Sequence, residues 1–363
     1  MATPPRRVLI VDDSAVTRRL LSSALRGDPE ILVVAEAADP FSAKSLIAIH
    51  RPDVVTLDVE MPQMNGITFL RHLMSHQPVP VIIVSSHTPE GSAAGIEALR
   101  AGAIDVIPKP LNPSSIGPFA SRLRQVIREL GKWPLRPRPG SEHSSRIAAA
   151  TAYPLNALIA IGASTGGPQA IEDLLSMLPA GMPPIVIAQH MPAGFTKLFA
   201  KRLGETCGMR VVEAADGQDL ERGTAYVAPG NYHLTVEQHG GRLLTALRRG
   251  PVVNQHRPSV DVLFRSLVNL RGVPIVAILL TGMGSDGADG LVELSQAGHP
   301  TIAEDEQSCV VFGMPREAIR RGGAKHVMPL KQIPGTTIEC LSRLSNRTKE
   351  VDPKGRPTGV SGR

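Results

Sequence analysis

The sequence of 363 residues is poor in aromatic side chains, in cysteine and in long apolar runs. Aromatic residues make up only 3% of the chain, so Val, Ile, Leu and Ala must build its cores. Cys207, Cys309 and Cys340 have no metal-binding or redox spacing, which favours a reducing compartment. No apolar run approaches the length of a membrane span, and the short one near the N-terminus ends in two acids, unlike a signal peptide. We therefore expect a cytoplasmic protein without membrane insertion.

The formal charge of +6 is concentrated in two segments. Residues 131–150 carry a net charge of +3 and residues 343–363 carry +4, so together they exceed the charge of the whole chain. Segments of this kind, rich in Pro, Arg, Ser and Gly, are typical of a solvated linker and tail. We therefore expect no nucleic-acid partner, although a high pI is one signal of such binding.

Short apolar runs alternate with helix-length amphipathic segments in both halves of the chain. This alternation predicts parallel sheets with crossover helices. The predicted fold class is α/β, with two doubly wound parallel-sheet domains joined by a linker. The predicted boundaries are a first domain at 1–128, a Pro/Arg/Ser-rich linker at 129–152, a second domain at 153–345 and a basic disordered tail at 346–363. A Gly-Gly turn predicts a hairpin in NYHLTVEQHGGRLLTAL, and the last helix is predicted to end near Leu344.

Polar side chains follow several strands of the first half at the point where each strand ends. Asp12 and Asp13 follow the first predicted strand, Asp58 the third, Ser85 the fourth and Lys109 the fifth. The carboxyl ends of strands are where open α/β sheets place their ligands. Converging carboxylates repel each other, so we expect a divalent cation, and oxygen ligands suit Mg²⁺. A carboxylate beside Mg²⁺ can accept a phosphoryl group, whose oxygens a lysine and a hydroxyl can hold.

The second half opens with IAIGASTGGP, in which residues 162–166 fit the pattern G-x-S-x-G around Ser164. The pattern is compatible with a nucleophile elbow, with a phosphate-binding turn at a helix N-terminus, or with a plain strand-to-helix corner. A nucleophilic serine needs a base. We assign that role to His190, which ends the apolar strand PIVIAQH, and the orienting acid to Asp286, after a strand and a glycine-rich loop.

Competing assignments exist for the acid and for the base. Asp289 is the competitor for the acid, and His299 or His326 would be the base if the usual order of an α/β-hydrolase applied. Backbone N–H groups in the loop 281–285, or at the turn around Ser164, are candidates for an oxyanion hole. His256 and Arg257 have no clear chemical role and could equally shape the cleft wall, bind a partner or belong to a helix cap.

Residues 6–128 resemble a response-regulator receiver domain, which implies a flavodoxin-like fold. The resemblance implies a phosphoacceptor aspartate, a magnesium site, a switch hydroxyl, a lysine that binds the phosphate, and a cis Lys109–Pro110 bond. The implied residues are Asp58 as phosphoacceptor; Asp13, Asp58 and the Glu60 carbonyl around Mg²⁺, with Asp12 supporting; Ser85 as the switch; and Lys109 as the phosphate partner.

With IGASTGGP, QHMPAGFT, NQHRPSVDVLF and LLTGMGSDGADG, nearly the whole chain resembles the chemotaxis response-regulator protein-glutamate methylesterases. The resemblance implies an α/β serine-hydrolase domain with a triad of Ser164, His190 and Asp286, the Met283 amide as oxyanion donor and Thr165 nearby. It also implies hydrolysis of glutamate methyl esters, and deamidation of glutamines, on the helical bundle of a chemoreceptor. A histidine kinase would be the phosphodonor, and the unphosphorylated receiver would inhibit the enzyme.

We expect Mg²⁺ in the receiver domain, no cofactor for the esterase reaction, and a monomer. The alternative is a response regulator whose output domain binds a partner without catalysis. In that case the basic linker and tail would contact nucleic acid or an acidic partner, and GASTGG would bind a phosphate.

Overall fold

A computed structural model describes residues 4–61, 66–86, 88–130, 153–154 and 156–350, with side chains at 89–92 and 346–350 excluded. Within these ranges no helix combines the length and the apolar character needed to cross a bilayer. The predicted linker lies outside the described residues from 131 to 152, and the predicted tail lies outside them from 351 onward.

The first domain is a five-stranded parallel sheet with strand order β2-β1-β3-β4-β5 and helices in the crossovers. The order reverses between β1 and β3, and this is where open sheets bind ligands. The elements are β1 (Arg6–Val11), α1 (Ala15–Leu25), β2 (Ile31–Ala37), α2 (Pro40–His50), β3 (Val54–Leu57), α3 (Gly66–His76), β4 (Val81–Ser85), α4 (Pro89–Arg100), β5 (Asp105–Pro108) and α5 (Pro113–Leu130).

The second domain is a seven-stranded parallel sheet with strand order β14-β13-β12-β6-β7-β9-β8. Its order reverses between β12 and β6, so a second switch point lies at the centre of this sheet. The first elements are β6 (Leu158–Ala163), α6 (Gly167–Met177), β7 (Ile185–Gln189), α7 (Phe195–Thr206), β8 (Arg210–Glu213) and β9 (Thr224–Val227). The strands and helices that complete this domain around the sheet are α8 (Val260–Val268), β12 (Ile275–Leu279), α9 (Ala288–Gln296), β13 (Thr301–Glu304), α10 (Met314–Arg320), β14 (His326–Met328) and α11 (Ile333–Glu350).

An antiparallel hairpin of β10 (His233–His239) and β11 (Arg242–Arg248) stands apart from the two sheets. Its turn is formed by Gly240 and Gly241, both with positive φ, as the Gly-Gly signal predicted. The hairpin leads into the loop that precedes α8.

The two domains pack directly against each other. Phe195, at the start of α7, is fully buried, and a Cβ added to Gly95 of α4 would lie 2.8 Å from its ring. Met283 and Val311 of the second domain lie in one buried cluster with side chains of the first. The first domain therefore covers part of the edge of the second sheet where the strands end.

The predicted fold class is confirmed, since both sheets are wholly parallel. The structure adds β13 and β14, which the sequence analysis did not assign, and extends the last helix to Glu350, past the predicted end near Leu344. The Lys109–Pro110 bond was expected to be cis and is not; among the described residues the cis bond is Arg257–Pro258.

Candidate active site

The acidic residues predicted in the first domain meet at the switch point of its sheet. Lys109 Nζ lies 2.5 Å from Asp58 Oδ2 and 3.0 Å from Asp12 Oδ2. Burial raises the pKa of Asp12, and the charge of Lys109 offsets part of that rise. Burial alone would lower the pKa of Lys109, but its hydrogen bonds and charge interactions with Asp58 and Asp12 raise it. Lys109 is therefore a cation held between two carboxylates.

The donor set at this site fits a magnesium ion. Asp12, Asp13 and Asp58 each offer a carboxylate oxygen, and these oxygens lie within 4.8 Å of one another. Oxygen ligands with room for water are what Mg²⁺ prefers. The backbone N–H of Glu60 donates to Asp58 Oδ1 at 3.1 Å, which places Glu60 beside the acids. Ser85 ends β4, its side chain is buried, and its carbonyl accepts from the Lys109 amide at 2.8 Å, so it too belongs to this edge.

Ser164 stands at the corner where β6 turns into α6. A Cβ added to Gly162 would lie 2.2 Å from Val260 Cγ1. Because a side chain there would overlap Val260, this position has room only for glycine. Gly166 has φ +78°, which favours glycine because of backbone conformation. Ser164 is 1% exposed, and its hydroxyl has no hydrogen-bond partner among the residues that the structure describes. The sharp corner thus presents a buried hydroxyl that makes no hydrogen bond to His190 in this structure.

His190 follows β7 and is hydrogen-bonded to Asp286 across the sheet edge. Its backbone N–H donates to Ala163 O at 3.1 Å, which fixes it next to Ser164 on the neighbouring strand. His190 Nε2 lies 2.7 Å from Asp286 Oδ2, and the histidine side chain is 3% exposed. Because the carboxylate accepts at Nε2, Nδ1 carries the lone pair in the neutral ring. Within the described ranges that buried nitrogen has no hydrogen-bond partner, as a base awaiting a proton requires.

Asp286 is the acceptor of an unusually full set of hydrogen bonds. Besides His190, it accepts from Asn254 Nδ2 at 2.9 Å, Ser259 Oγ at 2.7 Å, and the amides of Val260 at 2.7 Å and Asp261 at 3.2 Å. Burial alone would raise the pKa of Asp286, but these bonds and the charge of His190 hold it below its usual range. Asp286 is therefore an ionised acid at neutral pH.

The loop after β12 lies against Ser164. Ser164 N donates to Thr281 O at 3.0 Å, and a Cβ added to Gly282 would lie 2.8 Å from Ser164 Cβ. The next residue is Met283, whose amide makes no hydrogen bond among the described residues, as an oxyanion donor requires. Glu304 supports this loop, because its Oε2 accepts a hydrogen bond from the Thr281 amide at 2.8 Å.

Thr165 joins the site to the first domain. Its hydroxyl donates to Asp105 Oδ2 at 2.8 Å and accepts from Arg122 Nη2 at 3.0 Å. Arg122 also pairs with Asp105 at 2.9 Å, and the Gly166 amide donates to Ile104 O at 3.2 Å. In this arrangement the Thr165 hydroxyl is occupied by the receiver side of the interface.

The competing sequence assignments are placed elsewhere by the structure. Asp289 lies in α9 on the surface, where it pairs with Arg321 and Arg265. His299 and His326 make no hydrogen bond to Asp286. Sequence reasoning missed the role of Asn254, and it left His256 open; in the structure the His256 ring stacks on His190. Arg257 donates to Gly250 O at 2.7 Å and so holds the loop before α8.

The fold and the two sites define the class of protein: a receiver-type domain joined to an α/β domain with the arrangement of a serine hydrolase. Two family models match the chain, the response regulator receiver domain over residues 8–117 and the CheB methylesterase over residues 159–337. The chain belongs to the protein-glutamate methylesterase/protein-glutamine glutaminase family, since it is 46% identical over 341 residues to a member from Bradyrhizobium diazoefficiens.

That alignment covers 90% of this chain and 94% of the relative. A relative of the same name from Syntrophus aciditrophicus is also 46% identical, over 92% of this chain and 99% of that protein. Among solved structures, the CheB methylesterase catalytic domain of Thermotoga maritima is 40% identical, covering 51% of this chain and 98% of its own, with a TM-score of 0.49. The names of the relatives favour the enzymatic interpretation over a non-catalytic output domain.

Proposed function

We propose that this protein hydrolyses methyl esters of glutamate side chains on chemoreceptors, and deamidates receptor glutamines, through an acyl-enzyme on Ser164. The observation that carries the proposal is the buried His190–Asp286 hydrogen bond of 2.7 Å at the strand end next to Ser164. The relatives are named for both the esterase and the glutaminase reaction. An ester and a side-chain amide are both open to attack by an activated serine.

In the proposed reaction Ser164 Oγ attacks the ester carbonyl while its proton passes to Nδ1 of His190. Asp286 stabilises the imidazolium that forms and keeps its orientation. The Met283 amide, which makes no hydrogen bond within the described ranges, donates to the developing oxyanion. The C–O bond to the methoxy group then breaks, and the proton on His190 leaves with methanol. A water molecule, deprotonated by the same histidine, releases the glutamate and restores Ser164.

The receiver domain supplies the regulation in this proposal. A chemotaxis histidine kinase donates a phosphoryl group to Asp58, and Lys109, 2.5 Å from Asp58 in this structure, then faces the phosphate. Asp12, Asp13, Asp58 and the carbonyl of Glu60 would hold Mg²⁺, with Ser85 as the switch hydroxyl. The ion supplies charge neutralisation for phosphoryl transfer when bound. The first domain covers the edge near Ser164, which supports inhibition before phosphorylation. We place this activity in the cytoplasm and expect a monomer.

Two substitutions test the proposal. Ser164→Ala should abolish methanol release from methylated receptors and leave phosphorylation of Asp58 by a small phosphodonor intact. Asp58→Asn should keep the basal esterase activity and lose its stimulation by the phosphodonor. Substantial hydrolysis by the serine variant would refute the nucleophile, and stimulation that survives in the aspartate variant would refute Asp58 as the input.

A further inference from the structure

The loop before α8 holds His256 in a tight, locked turn. Asn254 and Gln255 have φ values of 50° and 66°, a left-handed conformation that side chains other than glycine rarely adopt. The turn is closed by two backbone hydrogen bonds between Val253 and His256, of 3.1 Å and 2.9 Å. Asn254 Nδ2 anchors it by donating to Asp261 Oδ2 at 2.7 Å as well as to Asp286. The position of the His256 backbone is therefore fixed by this turn.

The His256 ring covers one face of the His190 ring. The ring centroids are 3.6 Å apart and the planes differ by 7°, so the two imidazoles are stacked almost parallel. Asp286 holds one edge of the His190 ring, but a hydrogen bond at Nε2 alone leaves the ring free to swing about that contact. The stack restricts this freedom, because a swing toward His256 would drive the two rings into each other.

Burial and the charges around His256 keep its ring neutral. The groups that face it are His190, Arg122 of the first domain, Asp286 and the backbone of Asn254. Burial, together with the charges of His190 and Arg122, lowers the pKa of His256 to about 3. A neutral aromatic face can lie against an imidazolium favourably, whereas a second positive ring at this spacing would oppose the protonation of His190.

Two other roles for His256 fit the geometry poorly. His190, His256 and Asp286 each offer a possible metal ligand within 4.8 Å, but the stacked rings keep their nitrogen lone pairs in two nearly parallel planes that do not meet at one ion. A role as the base is also disfavoured, since in the described part of the chain Asp286 is hydrogen-bonded to His190 and not to His256, and the low pKa of His256 makes it a weak base.

We propose that His256 is a positioning residue, whose flat ring stacks on His190 and holds that ring where its Nδ1 can take the proton of Ser164. The inference rests on the proposed role of His190 as the base. The proposed role depends on a flat aromatic surface at position 256. It does not depend on the nitrogen atoms of the histidine ring. His256→Phe should therefore work and His256→Ala should not.

The test is methanol release from methylated receptors by the full chain, activated with a small phosphodonor. For His256→Ala we expect kcat to fall about 10- to 100-fold, the order of loss that a misplaced catalytic group causes. KM should stay within about twofold, because substrate contacts are kept. The rate of Ser164 labelling by a serine-directed phosphonate should fall by the same factor as kcat. His256→Phe should restore both rates to within about threefold of the unsubstituted protein.

Controls separate the possible failures. His239→Ala removes an exposed imidazole of the same domain and should change nothing. If His256→Ala does not fold, judged by thermal unfolding, His256→Leu against His256→Phe decides the matter, since leucine fills similar space without a flat ring. A kcat equal to the unsubstituted value in the alanine or leucine variant, or a phenylalanine variant as slow as either, overturns the inference. If Ser164→Ala also stays active, the proposed function itself has failed.

Discussion

We predict that the contact that joins the two domains at Thr165 makes the basal activity of the enzyme sensitive to Arg122. Arg122→Ala removes a guanidinium that donates to the Thr165 hydroxyl at 3.0 Å and pairs with Asp105 at 2.9 Å. The direct bond between Thr165 and Asp105 remains, so the interface is weakened and not abolished. We expect the unphosphorylated protein to open more often and to hydrolyse more ester.

The size of the effect follows from the chemistry of the lost bond. A hydrogen bond with one charged partner contributes about 1.5–3 kcal/mol. The Arg122 side chain is 24% exposed, so competition with water places the value at the lower end. About 1.4 kcal/mol corresponds to a tenfold change in an equilibrium constant. If the open state is minor, basal activity should rise by about tenfold, while the activity at saturating phosphodonor stays the same.

The assay compares methanol release with and without the phosphodonor, and phosphonate labelling of Ser164 without it. Arg128→Ala is the matched control, since Arg128 lies on the same helix but pairs with Asp28 and Glu30 inside the first domain. A basal rate in Arg122→Ala no higher than that of Arg128→Ala would refute the view that this contact holds the site closed.

The remaining predictions concern stability. Glu304 is fully buried, and burial raises its pKa to about 7 from 4.5, so the folded protein binds a proton there that the unfolded chain has lost. Stability should therefore fall as pH rises from about 4.5 to about 7, by roughly 3 kcal/mol for this shift, and urea unfolding of Glu304→Gln should show a smaller loss. A pH dependence unchanged by the substitution would contradict the assignment. Gly162→Ala should destabilise the protein by about 1–3 kcal/mol, because the new methyl would overlap Val260, whereas Gly335→Ala, at an exposed helical position with open space, should be neutral or stabilising. Equal unfolding midpoints for the two alanine variants would show that the corner at Gly162 can relax.

Strand-end residues could be predicted from the sequence because parallel strands share one carboxyl edge. Asp58, Ser164 and His190 each directly follow a short, mostly apolar strand. The alternation of strands and helices was therefore enough to predict that they lie at the carboxyl edge of a sheet. Asp286 was harder, since a loop separates it from β12, and its choice over Asp289 depended on where α9 begins. In the structure Asp289 lies inside α9, where it pairs with Arg265.

Other features carried no local signal in the sequence. Strands β13 and β14 have four and three residues, and β13 ends in the buried Glu304, so neither stands out as an apolar run. Asn254 and His256 lie in an irregular loop without periodicity, and their partners are fixed by the fold. The pairing of Arg122 with Thr165 spans 43 residues and two domains, and no pattern in either segment specifies it.

The arrangement of β5 explains how two separate chemical sites can be coupled over a short distance. Lys109, which follows this strand, contacts Asp58, and Asp105, which begins it, contacts Thr165 beside Ser164. Four residues of extended chain span about 13 Å. We expect a displacement of Lys109 to reach Asp105, because this short strand is held along its length by its pairing with β4. In the proposed regulation both ends of the coupling act on this one strand, and the bond between Asp105 and Thr165 is the point at which the first domain holds or releases the residue next to the nucleophile.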